Sequence, residues 1–126
     1  MEDDKITLDS FFPSDAVTPI QDISDIDMDE DFVVYAGSNW CGHSQLGTAH
    51  YAEACRATNL DGKKTTCLGL DLAKEGGREL AEEMGLPDIR GVPALLKWKA
   101  KEREFETVAT GRRNVPQYLE ILKGGL

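Results

Sequence analysis

The segment Trp40-Cys41-Gly42-His43-Ser44 places a thiol, an imidazole and a hydroxyl within four positions, a few residues after the apolar run 31–37. This order predicts a strand, a short loop and a helix with Cys41 in its first turn. A helix start presents unpaired backbone N–H groups and the positive end of the helix dipole, which together favour a thiolate. Such positions lower a cysteine pKa from about 8.5 into the range of about 3.5 to 7.5. Cys41 is then a nucleophile near neutral pH. His43, when protonated, adds positive charge beside the sulfur. Gly42 lets a partner chain approach closely, and Trp40 offers an apolar wall.

Other chemistries fit the same residues poorly. A metal site drawn from Cys41, His43, His50 and Cys55 lacks the paired spacing of a closed tetrahedral set, so no metal is expected. A Cys–His hydrolase pairing of Cys41 with His43 fails because residues two apart on a helix do not face each other. Both histidines read as surface groups. Cys55 lies fourteen residues along the predicted helix, roughly 21 Å from Cys41 by helical rise, far beyond the roughly 7 Å limit on Cα separation in a disulfide. Cys67 falls in mid-strand, where a small buried hydrophobe is the default. Whether Cys55 and Cys67 pair depends on tertiary contacts.

The elements that must position Cys41 can be read from pattern and punctuation. A short strand at 5–8 and a helix within 14–23, interrupted near Pro19, are expected before the acidic stretch 22–31. The run 31–37 is apolar, β-branched and aromatic, and ends at Gly37, as a buried central strand does. Residues 40–58 contain no proline and suit a helix, and Asp61-Gly62 marks a turn. A second buried strand is expected at 65–72 and a short helix at 77–84 closed by Gly85. The runs 93–98 and 103–111, joined by Lys99-Ala100-Lys101-Glu102, read as an antiparallel hairpin. A last helix begins with Asn114 as N-cap and Pro116 in its first turn, and ends at Gly124-Gly125. The order implies an α/β fold, a central mixed sheet with helices on both faces and sites beyond the carboxyl ends of the strands.

A Gly91-Val92-Pro93 turn leads directly into the hairpin. Together with Trp40-Cys41-Gly42-His43-Ser44 after a strand, it resembles the thioredoxin superfamily, in its thioredoxin and protein disulfide isomerase branches. The likeness runs from about Phe32 to the last helix. It implies a thioredoxin-like fold, a cis-proline at Pro93 facing the attacking cysteine, and Val92 pairing its backbone with an extended substrate. The departures are specific. Dithiol members carry a second cysteine where Ser44 stands, and a hydroxyl forms no disulfide, so Cys41 could attack but not resolve itself. The family's buried carboxylate falls on Tyr35 by ungapped count, or on Val33 with a two-residue insertion; neither is an acid. Ala49 replaces the family's helix-kinking proline. Monothiol glutaredoxins share a Cys-Gly-x-Ser motif, but their Gly-Gly turn is replaced here by Lys97-Trp98-Lys99-Ala100-Lys101-Glu102.

Composition sets the remaining bounds. The chain has 126 residues, a size suited to one domain over 1–126, with 1–31 an acidic segment that matches the family poorly. Residues 1–55 carry twelve acids against Lys5 alone, whereas 56–126 carry thirteen basic groups against eleven acidic, for a net charge of −9. That field disfavours nucleic acid and anionic membranes as partners. Three cysteines leave at least one thiol free or shared with another molecule. The acidic N-terminus lacks the basic and apolar regions of a secretion signal, so a cytoplasmic monomer is expected. Two function classes stay open. One is a thiol–disulfide oxidoreductase without a bound cofactor, naturally monothiol or a dithiol enzyme with its second cysteine replaced. It would form mixed disulfides with thiol- or disulfide-containing proteins and rely on glutathione or another external thiol for release. The other is a non-catalytic peptide-binding module built around Trp40, Val92 and Pro93.

Overall fold

A computed structural model describes residues 12–13, 15–39, 41–60, 66–87, 89 and 91–123. Five strands form one mixed sheet: β1 (Thr18–Pro19), β2 (Phe32–Gly37), β3 (Cys67–Asp71), β4 (Ala94–Lys99) and β5 (Glu104–Thr110), in the order β1-β3-β2-β4-β5. β1, β3 and β2 run parallel, while β4 is antiparallel to β2 and to β5. Three α-helices, α1 (Gly42–Leu60), α2 (Gly77–Met84) and α3 (Val115–Leu122), cover the sheet, and a 3-10 turn spans Ile23–Asp25.

Alternation along β2 explains the layering. Val33 and Tyr35 face a core shared with Tyr51, Cys55 and Tyr118 of α1 and α3. Phe32, Val34 and Ala36 face the opposite core with Leu80 and Met84 of α2. Every residue of β2 and β3 is buried, as expected of strands covered on both faces. On the first face Tyr35 stacks on Tyr51 with ring centroids 5.0 Å apart, and Tyr118 meets both rings edge-on. The inward side of α1 is made of Ser44, Gly47, Thr48, Tyr51, Cys55 and Thr58, which recur at helical spacing. Leu46 points away and is about half exposed.

Helix ends follow their local chemistry. Asn114 accepts from the Gln117 N–H while Gln117 returns a bond to the Asn114 N–H, a capping box at the start of α3. Gly85 closes α2 at φ 84°, in the left-handed region that favours glycine.

Two expectations are corrected. The helix anticipated within 14–23 is absent: Thr18 and Pro19 pair with Leu68 and Gly69 as an edge strand, which tolerates proline because its missing N–H can face outward. Cys67 is not a lone hydrophobe. It forms a disulfide with Cys55, Cα–Cα 6.5 Å, tying α1 to β3. The strand expected at 5–8 and the glycines 124–125 lie outside the described residues. Among those residues, no helix is long and apolar enough to cross a membrane.

The disulfide closes a loop of 12 residues, for which loop-closure entropy gives a stabilisation of about 3 kcal/mol. Urea unfolding of a Cys55→Ala/Cys67→Ala variant should show that loss, and a reductant should destabilise the parent chain but leave the variant unaffected. Equal stability of the two chains would show that the crosslink contributes nothing.

Candidate active site

The carboxyl ends of β2 and β3 lead into loops that lie side by side, because Leu72 N–H donates to Gly37 O at 2.8 Å. Asp71, at the end of β3, reaches across to the loop before Cys41. Its carboxylate accepts from Asn39 N–H at 3.2 Å, from Asn39 Nδ2 at 2.6 Å and from Ala73 N–H at 3.0 Å. Gln45 Nε2 also donates to Asn39 O, so the loop is held from both sides. Three donors on one buried carboxylate fix the approach to α1.

Cys41 stands at the mouth of α1. Its N–H donates to Ser38 O at 3.1 Å, and its carbonyl accepts from Gln45 N–H at 3.0 Å, the first hydrogen bond of the helix. Among the described residues it is the free cysteine, and it is half-buried. Its thiol pKa is lowered, chiefly by the backbone N–H of Ser44; desolvation opposes this, and the backbone N–H of His43 adds a smaller lowering effect. The Ser44 hydroxyl adds a weaker contribution, too loose to count as a hydrogen bond, and is otherwise buried without a partner. His43 contributes to the lowered pKa through its main-chain N–H. Its ring lies on the exposed side of α1.

Ser44 itself is fully buried. Its carbonyl accepts from Tyr35 Oη at 2.7 Å and from Thr48 Oγ1 at 2.8 Å. Tyr35 therefore reaches from β2 to the backbone of the position where a resolving cysteine would stand. Burial raises its phenol pKa far above the usual value, so it holds its proton and serves as a donor rather than a base. Val33, two residues earlier on the same face, is apolar.

The Val92–Pro93 peptide is cis. Pro93 is fully buried, Val92 is half-buried, and Pro93 O accepts from Gly111 N–H at 2.7 Å, linking the turn to the loop after β5. Pro93 packs towards α1 at Gly47, where an added Cβ would sit 3.3 Å from Pro93 Cγ and overlap Tyr35 Oη. Gly42 is the contrast: among the described residues a Cβ there meets nothing within 4 Å. Trp40 lies outside the described residues. Cys55, once a candidate ligand beside Cys41 and the histidines, is held in its disulfide, and His50 Nδ1 lies 3.1 Å from Arg113 O.

Asp71 and Asn39 were not visible as site residues in the sequence, since they are 32 positions apart and meet only through strand register. The available signal was an acid ending the predicted strand beside the one that feeds the helix.

No family model matches the sequence, and neither does any curated protein. Solved structures do match. Chloroplastic thioredoxin z aligns with a TM-score of 0.60 at 18% identity, over 86% of this chain and 92% of its own. Thioredoxin Mala s 13 of Malassezia sympodialis aligns at 0.65 and 17% identity, over 86% and 89%. A chain from a study of the thiol resolving mechanism in yeast mitochondrial 1-Cys peroxiredoxin via glutathione/thioredoxin systems aligns at 0.62 and 15%, over 87% and 96%. The chain has a thioredoxin-like fold.

The contacts at Gly47 reverse an ordinary rule. Glycine to alanine inside a helix normally stabilises by about 1 kcal/mol, but Gly47→Ala should destabilise by about 1–3 kcal/mol because the methyl overlaps Tyr35 Oη. Gly42→Ala should stay within about 0.5 kcal/mol of the parent. Parallel urea titrations decide this: similar midpoints for both variants would show that the Tyr35–Gly47–Pro93 contact is not tight.

Proposed function

We propose that the protein is a thiol–disulfide oxidoreductase of the thioredoxin type in which Cys41 supplies attack and an outside thiol supplies release. The observation that carries the proposal is the position of a free, half-buried Cys41 at the start of α1, where the main-chain N–H groups of Ser44 and His43 lower its pKa. The likeness in fold to thioredoxins supports the same reading. In the first step the Cys41 thiolate attacks one sulfur of a partner disulfide. A Cys41–partner S–S bond forms, the original S–S bond breaks, and the departing sulfur leaves as a thiolate that water protonates. In the second step an external thiolate, from glutathione or a protein, attacks the partner's sulfur in the mixed disulfide. Cys41 leaves with the electron pair, stabilised by the same two N–H groups.

Ser44 cannot perform that second step, and Tyr35 holds its proton. The Cys55–Cys67 disulfide offers no internal substitute, because Cys55 is fully buried and Cys67 nearly so. Val92 and Pro93 would line the approach to the sulfur, with Gly42 leaving room for the partner chain. No metal or bound cofactor is needed for exchange between thiols. Disulfide- or thiol-containing proteins are the substrates of this reading, and a cytoplasmic monomer is its setting.

A second reading has its own support. The unpartnered Ser44 hydroxyl and the missing buried acid remove the resolving chemistry, which suits a module that binds extended peptide without turnover. Cys41→Ala separates the two. An oxidoreductase loses all mixed-disulfide formation and activity with that change, whereas a binding module keeps its partner affinity.

Ser44→Cys is the complementary test. With cysteine restored, the chain should reduce protein disulfides such as those of insulin catalytically, while the parent should accumulate a Cys41-linked mixed disulfide that glutathione releases. Failure of the parent to form any mixed disulfide, together with no turnover in Ser44→Cys, would overturn the proposal.

A further inference from the structure

Beside the cis-proline turn lies a groove of about 470 Å³ lined by Ser38, Leu72, Arg78, Ile89, Gly91 and Val92. It continues into a smaller hollow of about 140 Å³ towards Leu86 and Pro87, with Leu72, Arg78 and Ile89 common to both. Among the described residues the walls of the larger part are otherwise aliphatic, backbone and hydroxyl, and Arg78 is the charged residue that lines it. Glu75, Glu79 and Glu82 are within four positions of Arg78 in sequence, yet among the described residues its guanidinium has neither an ion pair nor a hydrogen bond.

A second polar residue, with its hydroxyl buried, lines the same groove. Ser38 is only 5% exposed, and its hydroxyl has no hydrogen-bond partner. Leaving a buried hydroxyl unsatisfied costs stability, so the position is occupied at a disadvantage to the free protein. Glu82 lines the smaller hollow with Arg78 but is not paired with it, and Asp71, at the end of β3, is spent on Asn39 and Ala73. An unpaired guanidinium and an unpaired hydroxyl on one groove match a carboxylate, which takes two donors at once.

We propose that this groove selects partner peptides carrying an aspartate or glutamate close to the reacting sulfur, with Arg78 and Ser38 as the carboxylate donors and Val92 alongside the peptide backbone. The inference rests on Cys41 acting as the attacking thiol. The negative net charge of the chain favours neutral or cationic partners at long range, and Arg78 is a local exception that reads the residue beside the cysteine. Arg78 and Ser38 are specificity-determining residues here, not catalytic ones.

The test uses five-residue peptides whose single cysteine is joined to 2-thiopyridine. When Cys41 attacks the peptide sulfur, the Cys41–peptide disulfide forms, the peptide–pyridyl S–S bond breaks, and 2-thiopyridone leaves with the electron pair and a proton, giving an absorbance change. Peptides with Asp, Asn or Lys near the cysteine are compared, with glutathione disulfide as a separate arm. For an ion pair to the exposed Arg78 the parent chain should favour Asp over Asn by about two- to five-fold, and added salt should reduce that ratio. Arg78→Gln should bring the ratio to about one, and Ser38→Ala should lower it by about two-fold. Lys101→Gln, which makes the same charge change on the β4–β5 turn, should keep the parent ratio.

Equal rates for Asp and Asn in the parent, an unaltered ratio in Arg78→Gln, or Arg78 dependence confined to glutathione disulfide would overturn the inference. Rapid attack on the Asn peptide would meanwhile leave the attacking role of Cys41 standing. If Cys41 reacts with every peptide no faster than an ordinary thiol, that role fails instead. Carboxylate recognition is then read directly from peptides with serine in place of cysteine, by the amide shifts of Ser38 and Gly91. Displacement by the Asp peptide, lost in Arg78→Gln, would uphold it; equal displacement by Asp and Asn would overturn it.

Discussion

The first N–H groups of α1 have no acceptor within their own helix, and the chemistry of Cys41 depends on where the fold sends them. Cys41 sits at that helix start, and the Ser44 and His43 N–H groups lower its pKa, so ionisation is favoured by fixed main-chain dipoles. Such donors cannot rotate away. Their aim is only as good as the placement of the helix start, and much of the surrounding structure bears on that placement.

From below, Tyr35 of β2 donates to Ser44 O, and the Tyr35–Tyr51–Tyr118 cluster holds α1 and α3 against one face of the sheet. From the side, Asp71 clamps the loop that enters the helix. Further along, the Cys55–Cys67 disulfide joins α1 to β3, so both ends of the contact between helix and sheet are fixed. The cis-proline turn closes the remaining side against Gly47. Ser44 leaves this support intact because its role there is played by its backbone, while its side chain determines only whether a second sulfur is present. Attack and release are therefore separable in this fold.

Much of the architecture was legible in the sequence. The alternation of β2, the helix punctuation at Gly85 and Asn114, and the hairpin around residues 99–102 each follow from local rules that a single stretch of chain can express. β1 was not legible, because it is two residues long and exists through pairing with Leu68 and Gly69 rather than through any pattern of its own. The disulfide was equally hidden: Cys55 and Cys67 belong to different elements, and only the packing of α1 on β3 brings their Cα atoms within bonding range. At the site, Cys41, Ser44 and Pro93 stood out by motif. Asp71, Ser38 and Arg78 did not, because an anchoring carboxylate, an orphan hydroxyl and an unpaired guanidinium acquire meaning from neighbours distant in sequence. His43 was legible as a residue, and its main-chain N–H contributes to the lowered Cys41 pKa.

The central claim is that the folded chain stabilises the Cys41 thiolate. The rate of alkylation by iodoacetamide, followed against pH for the native chain and for the urea-unfolded chain, measures this directly. A pKa lowered on folding means that native Cys41 reacts at full rate down to a lower pH, with its midpoint below that of the unfolded thiol. By linkage, its contribution to stability is present above the unfolded pKa and is lost as pH falls through the native one. Coincident midpoints, or a native midpoint above the unfolded one, would contradict the account.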